Sequence, residues 1–210
     1  MFLQITDVSK RFGDKAVLDS LSLSFDKGVC YALCGASGVG KTTLLRILCG
    51  LEKPDKGVIS IPDNATVSYA FQEPRLFDAL SVTQNVHAVH PDRDVVRLLD
   101  ELDLSDAMEK FPYELSGGMK KRAGLVRALS KTADIYLIDE PTGGQDAQRS
   151  QQIAEAIKNY TAGSLCILST HDAALIASVA DRLIVLGDGQ PRLYDGIREK
   201  SADEIQSIMQ

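Results

Sequence analysis

Residues 35–42, GASGVGKT, place three glycines, a lysine and a threonine in the spacing G-x-x-x-x-G-K-[ST]. The chemistry that such a set serves is the holding of a phosphate chain. Gly35, Gly38 and Gly40 let the backbone N–H groups of the stretch, through Ala36, Ser37 and Val39, turn inward around phosphate oxygens. A helix that starts here adds the positive end of its dipole. Lys41 would reach β and γ phosphates, Thr42 would hold Mg²⁺, and Thr43 would donate to an α phosphate.

Two further groups carry chemistry. IYLIDE, residues 135–140, ends an apolar run in two carboxylates. In a parallel sheet ligands collect at the carboxyl ends of strands, so Asp139 can face a metal and Glu140 can orient or activate a water. A solvated strand-end pair explains the same letters, and only the phosphate motif upstream tips the choice. In PYELSGGMKKRAG, residues 112–124, Ser116 stands at an N-cap with Gly117 and Gly118 behind it, a second anion-accepting helix start. Taken alone, these residues fit an ordinary Ser-capped helix better, with Lys120, Lys121 and Arg122 as a solvated face.

The elements that must position these groups are readable from pattern. Runs at 2–8, 16–25, 28–34, 57–61, 65–71, 134–138, 165–169 and 182–186 have strand composition. Leu44, Leu45, Leu48 and Leu51 recur at helical spacing after the phosphate motif, with Gly50 as a cap and Pro54 just beyond. From 81 to 111 the pattern turns helical: Val95, Val96, Leu98, Leu99 and Leu102 form one stripe, and Asp92 and Ser105 are candidate N-caps. Helical segments near 146–159 and 172–180 alternate with the later strands, the rhythm of a parallel α/β sheet. SADEIQSIM reads as a short terminal helix.

Composition narrows the classes. With 210 residues, 44% hydrophobic and 25% charged, the chain suits one core and holds no run that could cross a bilayer. MFLQITDVSKRF lacks the basic and apolar regions of a secretory leader, so an interior compartment is expected. A formal charge of −6 disfavours phosphate-rich nucleic acids as partners. The 4 cysteines, Cys30, Cys34, Cys49 and Cys166, sit in apolar segments without a CxxC pair and read as buried thiols. His87 and His90 read as helix-surface residues.

Taken in order, GASGVGKTT, Gln72 in AFQEP, LSGGM, IYLIDEP and His171 in STHD make the chain resemble the nucleotide-binding subunit of an ATP-binding cassette transporter over nearly its whole length. The resemblance implies an α/β fold: a P-loop NTPase core with a mixed or parallel sheet, an N-terminal antiparallel β subdomain and a small helical insertion. Residues 1–210 would form a single domain, with the helical part at about 78–130. It also implies ATP and Mg²⁺ as cofactors and two chains packed head to tail, each ATP lying between one phosphate loop and the other chain's Ser116, Gly117 and Gly118. By the same matching, Phe12 stacks on adenine, Gln72 senses Mg²⁺ and the attacking water, His171 contacts the γ phosphate and Asp146 crosses the interface.

The resemblance further implies membrane permease subunits as partners, received around Gln72 to Phe77 where Arg75, Leu76 and Phe77 offer an apolar patch. An extracytoplasmic solute-binding protein is an additional partner, nucleic acid is not, and the place is the inner, cytoplasmic face of the membrane. KFPYELSGGM resembles the lead-in of importers of small solutes. The alternatives are a soluble cassette ATPase acting on nucleic acid or ribosomes and a lipid-handling system. Two departures from the family pattern stand out: Gly143-Gly144-Gln145-Asp146 replaces Ser-Ala-Leu-Asp, and Met119 replaces glutamine.

Overall fold

The computed structural model describes residues 1–187 and 189–210. Its strands are β1 (Leu3–Phe12), β2 (Lys15–Phe25), β3 (Cys30–Cys34), β4 (Lys56–Ser60), β5 (Val67–Ala70), β6 (Ile135–Asp139), β7 (Leu165–Ser169), β8 (Arg182–Val185) and β9 (Arg192–Tyr194). The helices are α1 (Lys41–Leu48), α2 (Val82–His87), α3 (Val96–Glu101), α4 (Gly117–Leu129), α5 (Ala147–Tyr160), α6 (Ala173–Val179) and α7 (Ala202–Met209).

Two sheets form. An antiparallel one runs β2-β1-β4, and a second runs β5-β6-β7-β3-β8-β9, parallel except for the β8–β9 pair. This matches the α/β class expected from sequence. The central strands are covered on both faces, which is why they read as continuous apolar runs rather than alternating ones. Ile135, Leu137, Leu165 and Ile167 face α1 and the antiparallel sheet, while Tyr136, Ile138, Cys166 and Leu168 face α4 and α5.

Strand order does the positioning. β5, β6, β7 and β3 are neighbours and parallel, so their carboxyl ends lie side by side and deliver Gln72, then Asp139 and Glu140, then His171, then the loop 35–40. Four motifs far apart in sequence thus meet along one sheet edge, where α/β folds bind ligands.

Several local expectations are corrected. β1 continues to Phe12 because Phe12 pairs with Lys15 across a two-residue turn in which Gly13 has φ 57°. α1 stops at Leu48, Gly50 turns left-handed at φ 77°, and Leu51 is therefore exposed rather than part of the stripe. The stretch 81–111 holds two six-residue α-helices and one short 3₁₀ turn, not longer helices, and a second 3₁₀ turn follows at Pro112–Glu114. Asp92 caps nothing there; Val95 is the N-cap, and the Asp94 carboxylate accepts from the Val96 N–H. Ser105 instead opens a 3₁₀ turn and donates to Asp100. β9, three residues at the sheet edge, is too short to leave a periodic signature.

Candidate functional site

The phosphate loop is built by exclusion of side chains. Gly35, Gly38 and Gly40 all have positive φ, at 142°, 77° and 111°. A Cβ on Gly40 would stand 2.8 Å from Leu18 Cδ2 and 2.9 Å from the Val17 carbonyl, so β2 closes over the loop and only glycine fits. Gly40 is also the N-cap of α1, and no side chain caps that helix, which leaves its first N–H groups for an outside acceptor. The Lys41 ammonium donates to the Gly35 and Ala36 carbonyls at 2.8 and 3.2 Å. Thr42 and Thr43 occupy the first turn, half-buried. A cleft of about 710 Å³ opens beside the loop, lined by Lys15, Val17, Ala36, Ser37, Gly38 and Val39 among others. Lys15 and Val17 belong to no sequence motif, and only the fold of β2 over the loop brings them here.

Asp139 ends β6 at 2% exposure. A buried carboxylate needs partners, and the register supplies them: Asp139 stands opposite Ser169 on β7, whose hydroxyl donates to one carboxylate oxygen. Tyr69 O–H donates to the other at 3.3 Å. Burial, together with the negative charge of Asp139, pushes the Tyr69 phenol up. Two polar residues at matching ends of adjacent strands, Asp139 and Ser169, are a signal in the sequence that could have paired them. Asp139 and Gln72 line the same two small pockets, one of which also includes Arg46, one turn beyond Thr42 on α1.

Glu140 extends the ladder by one residue, its N–H donating to the Ser169 carbonyl at 3.0 Å, and then turns at φ 49°. A non-glycine residue held left-handed costs about 1–3 kcal/mol and persists where surroundings enforce it. The turn places Glu140 Oε2 2.9 Å from His171 Nδ1, with the Glu140 side chain largely buried and the His171 ring exposed. The loops behind them are joined as well: Thr142 donates to Asp172, which caps α6.

The second glycine pair lies elsewhere. Ser116 caps α4 by accepting from the Met119 N–H at 3.2 Å. It borders a separate cleft of about 590 Å³ lined by Ser116, Gly118, Met119, Arg122, Gln145 and Asp146 among others, and by no residue of the phosphate loop. Asp146 caps α5, and the Arg149 backbone and guanidinium hold its carboxyl below the usual range. The expected solvated face is corrected here: Arg122 is 4% exposed, and burial lowers its pKa. Its guanidinium donates to Leu102, Asp103 and Gln145, while Lys121 donates to the Gly143 carbonyl.

Two expected residues stand apart from both clefts. Phe12 is 49% exposed at the hairpin tip, with the Lys10 ammonium 5.3 Å from its ring centroid. Phe77 is 51% exposed on a segment held from below. Buried Asn85 bonds both backbone groups of Phe77, and Arg127 of α4 donates to the Pro74 and Arg75 carbonyls. Neither Asn85 nor Arg127 was singled out in the sequence.

Residues 18–143 match the profile of a family described as ABC transporter. The chain is 38% identical over 201 residues to the aliphatic sulfonates import ATP-binding protein of Mesorhizobium japonicum, covering 87% of this chain and 74% of that one. It is 32% identical to the xylose/arabinose import ATP-binding protein of Haloferax volcanii, covering 90% of this chain but only 55% of that one. Among solved structures, the ATP-binding subunit of an ABC transporter aligns with a TM-score of 0.83 at 26% identity, covering 100% of this chain and 99% of its own. A dimeric, post-hydrolysis ATP-binding cassette bound to ADP and Pi aligns with a TM-score of 0.80 at 25% identity over 92% of this chain and 98% of its own.

Proposed function

The chain belongs to the ABC transporter family, and from that premise we propose that it binds and hydrolyses ATP as a head-to-tail pair to power a small-solute importer. One observation carries the reading. The phosphate loop and the Ser116–Gly118 helix end line different clefts of the same chain, so a nucleotide between them needs two copies.

In this scheme the N–H groups of residues 35–40 and the α1 terminus receive the phosphates. Lys41 has three donors, two of them resting on its own loop, and can exchange these carbonyls for phosphate oxygens. Thr43 adds a hydroxyl, and Phe12 supplies a ring for the base. Thr42, Gln72 and Asp139 form a hydroxyl, amide and carboxylate set of hard oxygens suited to Mg²⁺, with Gln72 and Asp139 already on shared pockets. When bound, Mg²⁺ would neutralise charge building on the phosphates. Glu140, fixed by His171 and a strained turn, orients the water and takes its proton. His171 keeps its second ring nitrogen for the γ phosphate, and Asp146 faces the partner copy.

The exposed Phe77 with Arg75 and Leu76 receives a permease segment, and α4 links it to the Ser116–Gly118 end through Arg127. Among the described residues no helix is long and apolar enough to cross a membrane; in this scheme the permease contact at Phe77 holds the chain at the inner face. An extracytoplasmic solute-binding protein completes the importer.

The test uses the Glu140→Gln chain. With Mg-ATP it should pair while turnover falls by about 10²–10⁴, read by sedimentation and phosphate release. Adding Ser116→Arg should abolish pairing yet leave ATP binding by single chains intact. Full turnover by Glu140→Gln, or unchanged pairing after Ser116→Arg, overturns the reading.

A further inference from the structure

Gln145 stands where the family pattern has leucine, and its carboxamide is used at both ends. Nε2 donates to the Gly118 carbonyl at 3.2 Å, and Oε1 accepts from Arg122 Nη1 at 2.8 Å. The first bond takes a lone pair on a backbone oxygen of the opening turn of α4, immediately behind Gly117. The second reaches a guanidinium that is itself buried and fixed, since Arg122 Nε donates to the Leu102 carbonyl at 2.8 Å and Nη2 to the Asp103 carbonyl at 3.4 Å.

Two parallel ties flank this one. Lys121 Nζ donates to the Gly143 carbonyl at 2.8 Å, and Arg149 bridges Asp146 and Asp103, meeting Asp103 at 2.9 Å. Loop 143–146, the start of α4 and the 102–103 connection therefore form one hydrogen-bonded block. Leucine at 145 would make neither carboxamide bond.

We propose that Gln145 is a positioning residue that locks the Asp146 loop to the Ser116–Gly118 helix end, so both reach the partner copy's nucleotide as a single preformed surface. This rests on the paired-site reading above. Its physical effect is to reduce the ordering that closure would otherwise demand of two loose segments. It therefore acts on association and not on a single chain's hold on nucleotide.

The experiment compares Glu140→Gln with Glu140→Gln/Gln145→Leu. Pairing is followed by sedimentation against chain concentration at saturating Mg-ATP, and ATP affinity is measured at dilutions where chains stay single. Loss of one charge-assisted and one neutral hydrogen bond should weaken pairing about tenfold, with single-chain ATP affinity within about twofold. In the otherwise natural chain, Gln145→Leu should shift the chain concentration for half-maximal turnover by a similar factor while turnover at saturating chain holds. A purely structural role would lower the melting temperature and leave pairing alone. If Glu140→Gln itself never pairs, the paired-site reading falls. If it pairs and Gln145→Leu leaves pairing equal or tighter, or weakens single-chain ATP binding by the same factor, the proposal for Gln145 is overturned.

Discussion

The two glycine-bearing helix starts differ in what their own chain demands of them. Around 35–40 the backbone is left-handed at three glycines, and β2 presses on Gly40 from above. Around 116–118 the glycines are helical, the cap is an ordinary serine, and a Cβ on Gly117 would meet nothing within 4 Å. On Gly118 its three nearest neighbours would all be atoms of the Gln145 side chain, the first at 3.0 Å. The first loop is glycine-rich because the fold around it requires glycine. The second has no such internal reason at Gly117, although glycine in a helix is less favourable than alanine by roughly 0.5–1 kcal/mol. On the paired-site proposal, the uncovered backbone at Gly117 is left for the partner copy's nucleotide to approach closely.

Substituting alanine on each side breaks or sharpens this contrast. Gly40→Ala should be the most damaging, lowering unfolding free energy by about 3 kcal/mol through left-handed strain and overpacking against Leu18 and Val17. Urea titration reads that loss, and ATP binding should fall with it. Gly117→Ala should do the reverse to stability, raising it by roughly 0.5 kcal/mol, while reducing ATP-dependent pairing of the Glu140→Gln chain. A stabilised chain that pairs normally would remove the reason offered for Gly117.

Acid provides the mildest probe, aimed at the end of the sheet away from both helix starts. Asp134, just before β6, accepts from Lys27 and from the Thr66 backbone and hydroxyl, and these bonds hold its carboxyl down at about 2. A depressed carboxylate contributes stability that is fully present above its ordinary value near 3.8 and is lost as pH falls through about 2. Asp134→Asn should lower the melting temperature at neutral pH and flatten its decline between pH 4 and pH 2, leaving pairing unchanged. An identical acid limb in both chains would contradict that assignment.

How far the molecule was legible in its sequence follows from the range of the interactions involved. The central strands were readable because burial on both faces makes apolar composition itself the signal, as in IYLID and LCILS. The phosphate loop was readable because its glycines answer local steric demands. The short helices between 81 and 111 were not, since their ends are set by contacts such as Thr83 to the Met108 carbonyl and Asn85 to the Phe77 turn. Arg122 was misread as solvated because a cationic letter on a helix says nothing of the carbonyls of Leu102 and Asp103 that await it. Gln145 registered only as a departure, and its two partners came from the fold. The strain at Glu140 left no trace in the letters at all.

The most direct test is turnover per chain measured against chain concentration at saturating Mg-ATP, with the mass of the species followed in the same samples. A site shared by two copies predicts that turnover per chain climbs from near zero in dilute solution and levels off as pairs fill. Constant turnover per chain down to concentrations where only single chains sediment would contradict it.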